Sequence, residues 1–296
     1  MKAWKWHLAW ALALVLNCSL QAAEPPEAAE WPQVVESADG TPISFEAHGS
    51  GEPALVFVHG WSCDGRYWRE QVAHFSPDHR VITLDLAGHG HSALSRENYN
   101  MAAFGEDVTS VLEAAEVQEA ILLGHSMGGP VSLHAATQMP DRVIGVIGVD
   151  TFQQISQEVD EDGLEDFLAP MEEDFRAGSA AFVSDMFVEE TDPRLHDWVV
   201  ADMSAAPPKV ALSAIRELLS DYIGGEIPRV LESVEVPLVA INADLWPTDV
   251  EAIREHAPGF EAIIMEGKDH FLHMAAPDAF NTELEEVIAD LLADSE

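Results

Sequence analysis

The sequence predicts an α/β fold in which helices cover both faces of a mostly parallel β-sheet. Short, unbroken apolar runs alternate with helical patterns, whereas a strand with one solvated face would alternate apolar and polar residues. With 296 residues, of which 47% are hydrophobic, the chain is long enough to bury one large core. The apolar runs predict buried strands at 54–58, 80–84, 120–124, 143–149, 236–241 and 260–265.

Residues 1–23 are predicted to be a secretory signal peptide. Lys2 and Lys5 precede an apolar run, Leu8 to Leu20, that is too short to span a bilayer. The small residues of Gln21-Ala22-Ala23 suit cleavage near Ala22 or Ala23. The sequence therefore predicts a secreted or periplasmic protein, without stable membrane insertion after cleavage. An uncleaved anchor is the alternative, because tryptophans in this segment would suit a membrane interface.

The mature chain is predicted to have one core interrupted by an insertion. Residues 24–33 form a proline-containing linker, and Asp39-Gly40 between two short apolar runs predicts an N-terminal hairpin. The core is expected over 34–150 and 236–296. Between these parts, 151–235 is acidic, lacks a convincing buried strand and contains short amphipathic patterns broken by prolines. A segment of this length is too long for a plain loop, so we expect a helical cap.

The charge of the chain restricts its partners. It carries 53 acidic residues against 14 lysines and arginines, a formal net charge of −39. Nucleic acid and anionic membrane surfaces should repel such a protein, and a polyanionic substrate is disfavoured. Only Cys63 would survive signal cleavage, so no internal disulfide is expected.

The most informative motif is the G-x-S-x-G of Gly124 to Gly128, with Ser126 at its centre. An apolar run fit for a buried strand precedes it, and a helical pattern follows as far as Met139. In a nucleophile elbow the two glycines are required, since the central residue is strained and strand and helix come very close. Ser126 is therefore the predicted nucleophile.

A serine nucleophile needs a base, and the base needs a partner that fixes its tautomer. His270 follows the last predicted strand and Asp244 follows the strand before it, so both should lie at the sheet edge that carries Ser126. We predict His270 as general base and acid, with Asp244 as the residue that orients it. Asp150, at the end of the strand after the elbow helix, and Asp249 are the alternatives for that orienting role.

Acyl transfer also requires hydrogen-bond donors for the oxygen that becomes negative. The backbone N–H groups of Met127 and Trp61 are the predicted oxyanion hole, and the indole of Trp61 should wall the pocket. Other predicted substrate-binding residues are Trp246, Phe271 and His273. No metal or other cofactor is expected, because the pair His89 and His91 lacks an evident third ligand and His273 is expected to pack near the pocket.

Together these motifs resemble the α/β-hydrolase superfamily over essentially the whole chain after the linker. The resemblance implies an eight-stranded sheet, a helical cap and hydrolysis of an ester or related acyl bond through an acyl-enzyme. The chain order Ser126, Asp244, His270 is the one expected in this fold. The stretch from Trp61 to Asp64, followed by Trp68, looks like that of small-ester hydrolases and their sensor relatives.

The sequence thus predicts a serine hydrolase acting on small or medium uncharged carboxylic esters, as a monomer or small homo-oligomer. A lactone, an amide or an N-terminal peptide bond remains open as the scissile bond. A ligand sensor with slow turnover is the alternative from another class, and the export signal argues against it.

Overall fold

The computed structural model describes residues 32–155 and 160–294. The predicted signal peptide and most of the predicted linker lie outside these described residues. Within the described ranges, no helix combines the length and the hydropathy needed to cross a bilayer.

One eight-stranded sheet organises the described chain, in the order β1-β2-β4-β3-β5-β6-β7-β8. Strands β3 to β8 pair in parallel, while β1 and β2 join one edge antiparallel. The predicted α/β class, with a mostly parallel sheet, is confirmed. The strands are β1 (Gln33–Glu36), β2 (Pro42–His48), β3 (Ala54–Val58), β4 (Val81–Asp85), β5 (Ala120–His125), β6 (Val143–Val149), β7 (Leu238–Ala243) and β8 (Glu261–Met265).

The N-terminal hairpin forms where Asp39-Gly40 predicts it. Gly40 has a φ of 80°, which glycine adopts without a steric penalty, and the carboxylate of Asp39 accepts the N–H of Thr41 at 2.9 Å. These local bonds fix the turn that pairs β1 with β2.

Eleven α-helices are described. They are α1 (Arg69–Phe75), α2 (Met101–Ala114), α3 (Gly128–Gln138), α4 (Glu161–Glu173), α5 (Phe175–Ser184), α6 (Pro193–Met203), α7 (Pro208–Ile223), α8 (Glu226–Ser233), α9 (Val250–Arg254), α10 (Leu272–Ala275) and α11 (Pro277–Asp294).

Both faces of the central strands β3, β4 and β5 are buried, which explains their unbroken apolar runs. In β3, Val56 and Val58 pack into the core that includes residues of α2 and α3, whereas Leu55 and Phe57 pack into the core that includes residues of α11. Successive side chains point to opposite faces of a strand, so a doubly covered strand needs an apolar residue at every position.

Helices α4 to α8 lie between β6 and β7 in the chain, within the predicted cap. Three of them begin at an aspartate whose carboxylate accepts a backbone N–H of the first turn: Asp160 for α4, Asp174 for α5 and Asp192 for α6. Such caps satisfy orphan donors and place negative charge at the positive end of the helix. Part of the acidity of this segment therefore stabilises its short helices.

Candidate active site

Ser126 lies at a sharp turn between β5 and α3. Its φ is 52°, a left-handed conformation that costs a residue with a side chain about 1–3 kcal/mol. The turn is held because the N–H of Ser126 donates to the carbonyl of Val149 at 3.0 Å and the N–H of Gly129 donates to the carbonyl of Ser126 at 2.9 Å. The strained corner expected of a nucleophile elbow is therefore present.

The two outer glycines of the motif are sterically required. A Cβ on Gly124 would lie 2.2 Å from the carbonyl oxygen of Gly128, and a Cβ on Gly128 would lie 2.4 Å from that of Val58. Real Cβ atoms do not approach backbone oxygens so closely. The G-x-S-x-G spacing is thus explained by the contact between strand and helix.

His270 forms a buried pair with Asp150. The imidazole Nδ1 and the Asp150 Oδ2 are 2.5 Å apart, and the two side chains are 7% and 1% exposed. The other oxygen of Asp150 accepts the N–H of Ala243 at 2.8 Å. With both oxygens engaged, the carboxylate can hold the proton of His270 on Nδ1 and leave Nε2 free to accept one.

The prediction that Asp244 orients His270 is wrong. Asp244 is exposed, and its carboxylate accepts the N–H of Gly267 at 2.7 Å, which fixes the start of the loop that carries His270. Asp249 caps α9 by accepting the N–H of Ala252. Asp150, the alternative that the sequence left open, takes the orienting position, because its carboxylate is the one that lies against Nδ1 of His270.

Ser126, Asp150 and His270 follow the carboxyl ends of the parallel strands β5, β6 and β8, which all lie at one edge of the sheet. Ser126 is bonded to Val149, the residue before Asp150. The imidazole of His125 lies 4.7 Å from that of His270, measured between ring centroids, and its Nε2 is 2.9 Å from the carbonyl oxygen of His270.

The predicted oxyanion donors lie beside this serine. Met127 is the N-cap of α3, where backbone N–H groups lack intrahelical acceptors. Trp61 follows Gly60, whose added Cβ would come within 3.2 Å of the Ser126 Cβ. Trp61 is 3% exposed and its Nε1 donates to the carbonyl of Ala211 in α7 at 2.7 Å, so this residue also joins the core to the cap. The prediction that its indole walls the pocket is wrong, since the ring is buried against Phe175 and Phe182 of α5.

Of the other predicted substrate-binding residues, only Trp246 offers surface beside His270. It is 38% exposed, and its ring lies edge-on to that of His270 at 5.3 Å. The predictions for Phe271 and His273 are wrong, since both are fully buried. Phe271 stacks on Phe187 of the cap, and His273 packs against Trp68 at 4.5 Å.

The neighbouring histidines are held neutral. Burial lowers the pKa of His273 to about 3 and places the pKa of His125 well below its usual value. A charged imidazole buried without an anionic partner is strongly disfavoured. Around neutral pH these two rings therefore add apolar packing rather than positive charge next to His270.

Comparison with known proteins agrees with this geometry. The family model described as the α/β-hydrolase fold matches residues 53–206, just over half of the chain. The chain belongs to the α/β-hydrolase family. The resemblance inferred from the motifs is therefore confirmed.

Among curated relatives of this α/β-hydrolase, the 3-oxoadipate enol-lactonase 1 of Acinetobacter baylyi is 24% identical over 261 residues, covering 83% of this chain and 93% of that protein. A shorter match, 40% identical over 99 residues, covers 33% of this chain and 27% of the dihydrolipoyllysine-residue acetyltransferase component of the acetoin cleaving system of Pseudomonas putida. Among solved structures, a bromoperoxidase from Bacillus anthracis aligns with a TM-score of 0.77 at 24% identity, covering 87% of this chain and 99% of that one.

This α/β-hydrolase has a pocket that the sequence reasoning did not identify. Its volume is about 290 Å³, and its lining combines Trp246 with Gln153 and Gln154, which follow Asp150, and with Leu219 and Tyr222 of α7. Gln153 could have been found from the sequence once Asp150 was identified as the residue that orients His270, because it follows Asp150 by three residues. No sequence signal identifies Leu219 and Tyr222, because the face of α7 that meets the pocket depends on how the cap packs.

Proposed function

We propose that this protein is a secreted or periplasmic serine hydrolase that cleaves small or medium uncharged carboxylic esters through an acyl-enzyme. The observation that carries the proposal is the buried pair of His270 and Asp150 at the sheet edge where Ser126 occupies its strained turn. Family membership and the pocket beside His270 add support.

The arrangement supports a two-step reaction. The Oγ of Ser126 attacks the ester carbonyl carbon while Nε2 of His270 takes its proton, and the N–H groups of Met127 and Trp61 stabilise the oxyanion. The bond to the alcohol oxygen then breaks, and His270 returns the proton to that oxygen. In the second step His270 takes a proton from water, which attacks the acyl carbon. The bond to Ser126 breaks, the proton returns to Oγ, and the acid leaves.

The pocket and the charge of the chain favour the proposed substrate class. A volume of about 290 Å³ is at the lower end of small-molecule sites. Trp246 offers an apolar face next to His270, and the strongly acidic chain disfavours anionic substrates. A lactone is the second candidate, because the relative from Acinetobacter is a lactonase by name and a lactone is a cyclic ester.

Replacing Ser126 tests the proposal most directly. Ser126→Ala should lower kcat on a short-chain aryl ester by about 10⁶-fold and abolish labelling by a fluorophosphonate, since it removes the hydroxyl that forms the acyl-enzyme. Ser233→Ala is the matched control, because its hydroxyl only bonds the Arg229 carbonyl within an exposed stretch of α8. Equal turnover by Ser126→Ala and the wild type would refute the proposal.

Export is proposed from the N-terminal sequence and has its own test. When the full chain is expressed in a bacterium competent for secretion, N-terminal sequencing of the exported protein should begin directly after Ala22 or Ala23. A protein that stays in the cytoplasm with an intact N-terminus, or one retained in the membrane fraction, would contradict this part of the proposal.

A further inference from the structure

The loop that carries His270 is hydrogen-bonded to the cap at two points. The N–H of His270 donates to the carbonyl of Met186 at 3.1 Å, and the hydroxyl of Thr191 donates to Oδ2 of Asp269. Met186 and Thr191 belong to the connection between α5 and α6. The cap therefore contacts the backbone of His270 and the side chain of the residue before it.

Asp269 is placed to transmit this contact. It is 1% exposed, and its Oδ1 accepts the N–H of Phe271 at 2.8 Å. The Asp269 carboxylate thus bridges His270, because it links the residue before the histidine to the residue after it. Burial raises the pKa of Asp269, while the hydrogen bonds from Thr191 and Phe271 oppose this. A buried carboxylate is stable only when its oxygens are satisfied, so the Thr191 hydroxyl is a required partner.

The other bonds to this loop come from the core. Asp244 holds Gly267, Asp150 holds the imidazole Nδ1 of His270, and His125 contacts the carbonyl oxygen of His270. The cap supplies the acceptor for the N–H of His270 and the hydroxyl that bonds Oδ2 of Asp269. Correct placement of the imidazole thus depends on hydrogen bonds from both the core and the cap.

We propose that Asp269 is a positioning residue: its hydrogen bond from Thr191 ties the cap to the histidine loop and holds His270 in the orientation that faces Ser126. The inference rests on the proposed function, because it requires His270 to act on Ser126. A displaced cap would release both bonds, so the base is aligned only while the cap is seated. The cap then contributes to catalysis as well as to the shape of the pocket.

The test removes the Thr191 hydroxyl and keeps its volume. Thr191→Val should lower kcat on the aryl ester and the rate of fluorophosphonate labelling of Ser126 by about 10-fold or more, since small misplacements of catalytic groups cost up to about 100-fold. KM should stay within about twofold, because neither Thr191 nor Asp269 lines the pocket. Thr191→Ser restores the hydroxyl and should restore both rates.

A matched control is Thr109→Val, which removes a hydroxyl that bonds the Glu106 carbonyl within α2. It should leave both rates unchanged. Thr191→Ala carries the same test if Thr191→Val does not fold. Labelling of Thr191→Val at the wild-type rate, or a similar loss in Thr109→Val, would overturn the inference.

Asp269→Asn separates position from charge. The amide oxygen can accept from Phe271 and the amide N–H can donate to the Thr191 oxygen, so the link survives without the negative charge. This variant should keep both rates within about threefold, whereas Asp269→Ala should lose at least as much as Thr191→Val, because it also removes the acceptor of the Phe271 N–H. The double variant Thr191→Val with Asp269→Ala should lose no more than Asp269→Ala alone, because the bond from Thr191 is already absent in that variant. If Asp269→Asn were as impaired as Asp269→Ala, the negative charge of Asp269 and not its hydrogen bonds would be required. That result would overturn the proposal that Asp269 is a positioning residue.

The two proposals fail differently. A wild-type protein that is not labelled at Ser126 by the fluorophosphonate contradicts the serine-hydrolase function itself. A wild type that is labelled, together with a Thr191→Val variant labelled equally fast, contradicts only the link between the cap and His270.

Discussion

Asp150→Asn should lower kcat about 10⁴-fold, whereas Asp244→Asn should leave it within about threefold of the wild type. The carboxylate of Asp150 accepts from Nδ1 of His270 at 2.5 Å and fixes the tautomer in which Nε2 can accept the serine proton. An amide whose N–H group faces Nδ1 stabilises the opposite tautomer, in which Nε2 already carries the proton. Kinetics on the aryl ester and the rate of fluorophosphonate labelling both measure the loss.

Asp244→Asn is a suitable comparison because it makes the same chemical change one strand away. Its side-chain oxygen can still accept from Gly267, so the loop should keep its geometry. If Asp244→Asn instead showed the large loss and Asp150→Asn remained active, the orienting role assigned to Asp150 would be refuted.

Acidification from pH 6 to pH 5 should remove about 2.5 kcal/mol of folding stability through His89 and His273 alone. Burial lowers the pKa of each to about 3, whereas an unfolded histidine has a pKa of about 6.5. Between these values the unfolded state binds more protons than the folded state, so stability falls as the pH falls. For each histidine the slope rises from about 1.0 kcal/mol per pH unit at pH 6 towards about 1.4 kcal/mol per pH unit at pH 5, as the unfolded histidine becomes fully protonated.

Other buried groups modify this slope in known directions. Burial also lowers the pKa of His59 and His125, which adds to the loss in acid. Burial raises the pKa of Asp221 to about 6, and this group opposes the loss, because its folded form binds a proton more readily than its unfolded form. A variant that lacks one histidine is therefore more informative than the total pH dependence of the wild-type stability.

His89→Gln isolates one titration. In denaturant unfolding, this variant should lose less stability than the wild type by about 0.8 kcal/mol between pH 7.5 and 6.0, and by about 1.2 kcal/mol between pH 6.0 and 5.0. His91→Gln is the matched control, since it removes an imidazole from the same turn. The side chain of His91 is 71% exposed. Parallel curves for His89→Gln and the wild type would contradict the neutral, buried state of His89.

Features fixed by neighbours in the chain could be predicted from the sequence. The hairpin at Asp39-Gly40 depends on the φ of one glycine and on local hydrogen bonds. The turn at Ser126 depends on two glycines within four residues of each other. The central strand β3 carries an apolar residue at every position because both of its faces are covered.

Features that depend on distant packing could not be predicted. Asp150 and Asp244 both follow parallel strands at the same edge, and the path of the loop after β8 brings His270 to Asp150 and not to Asp244. Phe271 and His273 are near His270 in the chain, yet they point into the core because the chain turns there into α10.

The sequence by itself therefore determined the α/β-hydrolase fold, the strained serine and the loop that carries His270. Each of these depends on residues close together in the chain: the apolar pattern of the strands, the spacing of Gly124 and Gly128, and the residues that follow each strand. The tertiary structure decided the carboxylate partner, the pocket lining and the link from Thr191 to Asp269. These contacts join residues far apart in the chain, and their geometry is set by how the sheet orders its strands and how the cap packs on it.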